Sequence, residues 1–126
     1  MNSMLVGFAS SDGLTIDSHF ASAPGFERYV FTMDSQGVYQ DSQGAKGPAE
    51  SEDKVDARIQ ILKECAIVYC TQIGGPAAAR LVQSGIHPIK VPEGTPIADE
   101  VRRLDQLLSS QKLPPWLKKK LNQEGN

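Results

Sequence analysis

The chain has 126 residues, 40% of them hydrophobic and 22% charged, values ordinary for a globular protein. Such a chain makes about one domain with one buried core, which excludes disorder through its body. A formal charge of −2 argues against a broad nucleic-acid or anionic-membrane footprint, and no apolar run approaches the ~20 residues that span a bilayer.

Met1-Asn2-Ser3-Met4 has no basic stretch followed by an apolar core, so no secretory signal is expected. Cys65 and Cys70 are too few for a disulfide framework and are not spaced as CxxC. Reduced thiols in a cytoplasmic protein are the simple expectation.

Met4 to Ala9 is continuously apolar and ends at Ser10-Ser11-Asp12-Gly13, which predicts a central strand covered on both faces. Phe26 to Thr32 is rich in β-formers, Asp34 to Gly37 makes a turn, and Val38-Tyr39 begins a return strand. Asp41 to Glu50 is polar with two glycines and a proline, and reads as an exposed loop.

Ser51 before Glu52 and Asp53 predicts a helix start, and Val55, Ile59 and Leu62 give that helix a buried face. Cys65 is placed at its end. Ala66 to Cys70 is a second apolar strand. Gly74-Gly75-Pro76 opens a second helix packed through Ala78, Leu81 and Val82 and ended by Gly85. His87 to Val91 is a third strand. Thr95-Pro96 is read as the cap of a last long helix carrying Ile97, Val101, Leu104 and Leu108 on one side. Pro114-Pro115-Trp116 starts a short terminal turn, and the Lys118-Lys119-Lys120 run complements a terminal helix dipole.

The order β, ββ, α, β, α, β, α predicts an α/β fold with a five-stranded mixed sheet and helices packed on it. Residues 1–126 are expected to form a single domain with a tail from about residue 112.

In open α/β sheets the ligand crevice lies beyond the carboxyl ends of parallel strands. Those ends lead into Ser10-Ser11-Asp12-Gly13, Thr71-Gln72-Ile73-Gly74-Gly75 and Val91-Pro92-Glu93-Gly94. Gly74-Gly75 lets a ligand approach the backbone, and the following helix aims its free N–H groups outward. A plain strand-to-helix turn explains the same glycines. His19, in Asp17-Ser18-His19-Phe20, is a candidate metal ligand or acid–base group, and an idle surface histidine fits the same spacing. His87 falls at the far end of its strand, Cys70 ends a strand, and buried inert thiols are expected for both cysteines. Asp12, Asp17 and Glu93 are available carboxylates, although turn chemistry accounts for the aspartates. No cluster closes a zinc site, and no GxSxG, P-loop or GxGxxG occurs. The residues thus describe a domain built to hold a ligand.

Phe8-Ala9-Ser10-Ser11-Asp12-Gly13, Ile16-Asp17-Ser18-His19-Phe20, Phe26 and Tyr29 resemble the opening of the nitrogenase iron–molybdenum cofactor biosynthesis family, that of the NifX, NifY and NafY proteins. The likeness runs on through Ala57-Arg58, Cys65, Ile73 to Ala79 and Gly85 to Lys90. It closes at Leu113 to Leu117, a stretch most like the NifY and NafY branch.

The resemblance implies a ribonuclease-H-like fold and a non-enzymatic carrier of the iron–molybdenum cofactor or its iron–sulfur precursor. Its partners would be apo-dinitrogenase and other cofactor assembly proteins, with no nucleic acid or membrane involved. The family's cofactor-binding histidine, in a D-x-H-F-G motif, maps onto His19, and Ala21 replaces the glycine here. That replacement removes easy access to positive φ and bears on affinity more than on fold. His19 as metal ligand, with Ser11, Asp17, Gly74 and Gly75 around the cofactor, is the expected site. A separate N-terminal helical domain of larger members has no counterpart in these residues. The alternative reading is a chaperone that holds apo-nitrogenase without touching cofactor. A metal-dependent nuclease would need clustered carboxylates that the sequence does not offer.

Overall fold

The computed structural model describes residues 3–32, 37–44, 54–109 and 115–116. Strands β1 (Ser3–Ala9), β3 (Gly25–Thr32), β4 (Val38–Gly44), β5 (Cys65–Cys70) and β6 (His87–Lys90) form one sheet in the order β4-β3-β1-β5-β6. β1, β5 and β6 run parallel, and β3 and β4 add an antiparallel flank. The expected mixed five-stranded sheet is therefore present. Helices α1 (Lys54–Ile61), α2 (Gly75–Gln83) and α3 (Ile97–Ser109) pack on it.

β1 lies at the centre of the sheet, as its continuous apolar run requires. Met4, Val6 and Phe8 join Ile67 and Tyr69 of β5 and Ile97, Leu104 and Leu108 of α3 in one buried cluster. Leu5 and Ala9 face the other way, with Val68 and Cys70, against Ile59 and Leu62 near α1 and Ala77 and Leu81 of α2. Each large side chain removed from water in these clusters contributes about 1.5–3 kcal/mol. Gly7 marks a close approach in this core, since a Cβ there would stand 2.6 Å from Leu62 Cδ2.

Several boundaries differ from expectation. Asp41 to Gly44, read as loop, continue β4 as an edge strand. The polar residues belong there because Arg28 grips Asp41 through two bonds of 2.6 Å, and Ser42 Oγ donates to Glu27 at 2.6 Å. Cys65, placed at a helix end, instead opens β5, because α1 stops at Ile61. Val82, expected to pack, is 61% exposed. Ala77 and Leu81 define the inward side of α2, and Val82 lies a further 100° around the axis.

Thr95 does not cap α3. With Pro96 it forms β7 (Thr95–Pro96), paired to β2 (Thr15–Ile16), and its hydroxyl donates to Pro92 O at 2.6 Å. Gly85, at φ +83°, ends α2 as expected. The expected turn at Asp34, the Ser51 helix start and the Lys118–Lys120 run lie outside the described residues. Among the described residues no helix is long and apolar enough to cross a membrane.

Candidate functional site

The parallel strands β1, β5 and β6 deliver three loops to one edge of the sheet. The segment from Ser10 to Pro24 is drawn across these loops by backbone hydrogen bonds. Asp17 N–H donates to Ala9 O at 3.3 Å, Thr71 N–H to Ser18 O at 3.0 Å, and Phe20 N–H to Gln72 O at 2.8 Å. Phe20 is fully buried beside Phe26, their ring centroids 6.0 Å apart, so it anchors the segment. His19 stands between the two bonded residues Ser18 and Phe20. It is exposed, extended at φ −68° and ψ 147°, and makes no side-chain bond to the 3-10 turn Phe20–Ser22 that follows.

A cleft of about 360 Å³ opens there, lined by His19, Thr71, Gln72, Lys90, Val91, Pro92 and Glu93. It combines one imidazole, one ammonium and one carboxylate with neutral donors. Cys70, directly before Thr71, is no competing ligand: it is fully buried, and burial pushes its thiol up to about 11. Among the described residues no three His, Cys, Asp or Glu side chains gather into a metal-holding group. A larger groove of about 450 Å³ lies between α3 and the β3–β4 hairpin. Its charges are already engaged, Arg102 with Asp99 and Asp105 with Gly37 N–H.

Ser11 and Asp17 are brought together, but they bond each other and do not line the cleft. Ser11 N–H donates to Asp17 at 2.9 Å, Ser11 Oγ donates to its other oxygen, and Ser18 Oγ donates at 2.8 Å. Burial opposes ionisation of Asp17, yet these bonds outweigh it and hold its carboxyl below the usual range. Asp12 closes the preceding turn. The backbone N–H groups of Thr15 and Leu14 lead a set of donors that lower its carboxyl to about 2.

Gly74 and Gly75 lie just beyond Gln72, outside the cleft lining. Neither has positive φ, and a Cβ at either would meet nothing within 4 Å. Neither backbone geometry nor internal packing calls for glycine there, and no side chain caps α2. In its first turn Pro76 has no N–H and Ala78 N–H donates to Gly74 O at 2.9 Å, which leaves the N–H groups of Gly75 and Ala77 without an intrahelical acceptor.

Lys90 and Arg58 escape sequence reasoning, and Thr71 figures there only in a crevice loop, without a role of its own. Thr71 and Lys90 enter the cleft wall only because the Ser10–Pro24 segment crosses their strand ends. Arg58 is 6% exposed, and its Nη2 and Nε donate to Ala23 O at 2.7 and 3.2 Å. It thereby pins the end of the turn that carries His19. Only its place in the family-like stretch Ala57-Arg58 hinted at a role. His87, by contrast, sits at the start of β6 with its ring stacked on Trp116 at 4.1 Å.

The dinitrogenase iron–molybdenum cofactor family model matches residues 2–107. The chain is 37% identical to the Klebsiella pneumoniae protein NifY over 120 residues, covering 94% of this chain and 51% of that protein. It is 34% identical to NifX of Sinorhizobium fredii over 127 residues, covering 95% and 79%. Against NifY of Azotobacter vinelandii it is 31% identical over 124 residues, covering 98% and 50%. The chain thus spans about half the length of the two NifY proteins it matches. With a cleft crossed by His19 at the strand ends and a match over most of its length, the chain belongs to the dinitrogenase iron–molybdenum cofactor family.

Proposed function

We propose that the chain is a carrier that takes up the iron–molybdenum cofactor, or its iron–sulfur precursor, and hands it on during nitrogenase assembly. His19 ligates a metal of the cargo through one imidazole nitrogen. Lys90 and the N-terminal turn of α2 at Gly74-Gly75 offset the negative charge of the cluster. Ser11 and Asp17 serve by locking the segment that presents His19.

One observation carries this reading: an exposed imidazole held over a strand-end cleft by backbone bonds on both sides. Four thiolates would retain a metal–sulfur cluster firmly. A single imidazole with polar neighbours gives the exchangeable grip a carrier needs. The proposed role is binding without turnover; Asp12 and Asp17 are taken up in loop hydrogen bonds, which leaves Glu93 as the carboxylate of the cleft. Such a carrier works in the cytoplasm as one cofactor-binding unit, with apo-dinitrogenase and other assembly proteins as partners. The mixed sheet with helices on both faces supports the ribonuclease-H-like description of the fold.

Anaerobic incubation with isolated iron–molybdenum cofactor, desalting and metal analysis tests the proposal. Molybdenum and iron retained together in proportion to protein are expected. Protein that emerges free of both metals contradicts the carrier reading and favours a chaperone that holds apo-nitrogenase alone.

A further inference from the structure

Among the described residues, the buried side-chain polar atom left without a hydrogen-bond partner is Thr71 Oγ1. Thr71 is only 7% exposed, yet it lines the same cleft as His19. Its backbone is fixed, since its N–H donates to Ser18 O at 3.0 Å. The side chain alone can change its bonding. A buried hydroxyl with no partner costs its desolvation with nothing returned, and valine would fill the same volume without that cost. Threonine also has more than one accessible χ1 well, so a single rotation exchanges its methyl and hydroxyl positions.

We propose that the Thr71 hydroxyl is a latent donor for the anionic cargo of this cleft. On loading, Oγ1 turns from its unpartnered position to an acceptor atom of the cargo, a cluster sulfide or a carboxylate oxygen beside the metal held by His19. The unmade bond of the empty protein is made in the loaded one, which adds affinity and selects cargo with an acceptor at that point. This inference rests on the carrier reading above.

The experiment compares the wild-type chain with Thr71→Val and Thr71→Ser. The readouts are the melting temperature of the cargo-free protein and the dissociation constant for isolated iron–molybdenum cofactor under argon. Thr71→Val is expected to raise the melting temperature by about 2–8 °C, because it removes the orphaned oxygen. It is expected to weaken cofactor binding about 5–10-fold. Thr71→Ser keeps the hydroxyl and binds within about twofold of wild type.

Opposite signs for stability and affinity are what a merely structural threonine would not produce. Thr71→Val that binds as tightly as wild type overturns the inference while leaving the carrier reading standing. So does Thr71→Ser as weak as Thr71→Val, or a lowered melting temperature for Thr71→Val. A wild-type chain that takes up no cofactor overturns both.

Discussion

His19 and His87 sit at opposite ends of the parallel strands, and the chain treats the two rings differently. His87, at the start of β6, is stacked on Trp116 at 4.1 Å, and Trp116 packs in turn against the buried cluster under α3. His19 lies at the finishing end, exposed, with the backbone of Ser18 and Phe20 on either side of it hydrogen-bonded to Thr71 and Gln72. One imidazole is spent on packing, and the other is held ready with its ring uncommitted to its own turn. Position relative to the strand ends, more than residue type, separates the packed histidine from the exposed one.

The contrast can be broken from either end. The largest stability effect is expected for Arg58→Met, which removes both bonds to Ala23 O beneath the His19 turn. A loss of about 2–3 kcal/mol in urea unfolding is expected, together with weaker cofactor uptake. Trp116→Ala uncovers His87 and should cost about 1–2 kcal/mol, with uptake unchanged. Loss of uptake in that variant would erase the distinction between the two ends. Gly74→Ala should leave the melting temperature within about 2 °C of wild type, since the new methyl meets open space. It should still weaken cofactor binding several-fold if cargo approaches that backbone.

The smallest effect is a pH dependence. The Asp12 carboxyl is lowered to about 2 in the folded chain, below its unfolded value of about 3.9. A depressed carboxylate stabilises fully above the unfolded value and loses that contribution as pH falls through the folded one. The stability advantage of wild type over Asp12→Asn should therefore be constant above about pH 5 and shrink from about pH 4 to pH 2. An advantage that instead grew towards acid would contradict the Asp12 turn.

What could be read from the residues alone follows the same division. β1 and β5 were legible because burial on both faces demands an unbroken apolar run, and Gly85 marked the end of α2 through its positive φ. The second half of β4 was not legible. An edge strand held by Arg28–Asp41 and Glu27–Ser42 shows polar residues that look like loop. His19 could be named from its motif-like surroundings, but its place over the cleft depends on bonds to Thr71 and Gln72, more than 50 residues away in sequence. The orphaned Thr71 hydroxyl had no local signal at all, because an unmade bond exists only in the folded arrangement.

The most direct test titrates wild type and His19→Ala with isolated iron–molybdenum cofactor under argon, alongside their melting curves. The account predicts binding weakened at least tenfold, about 1.4 kcal/mol, with an unchanged melting temperature, since the exposed ring supports no packing. Equal affinity of the two proteins for the cofactor would contradict it.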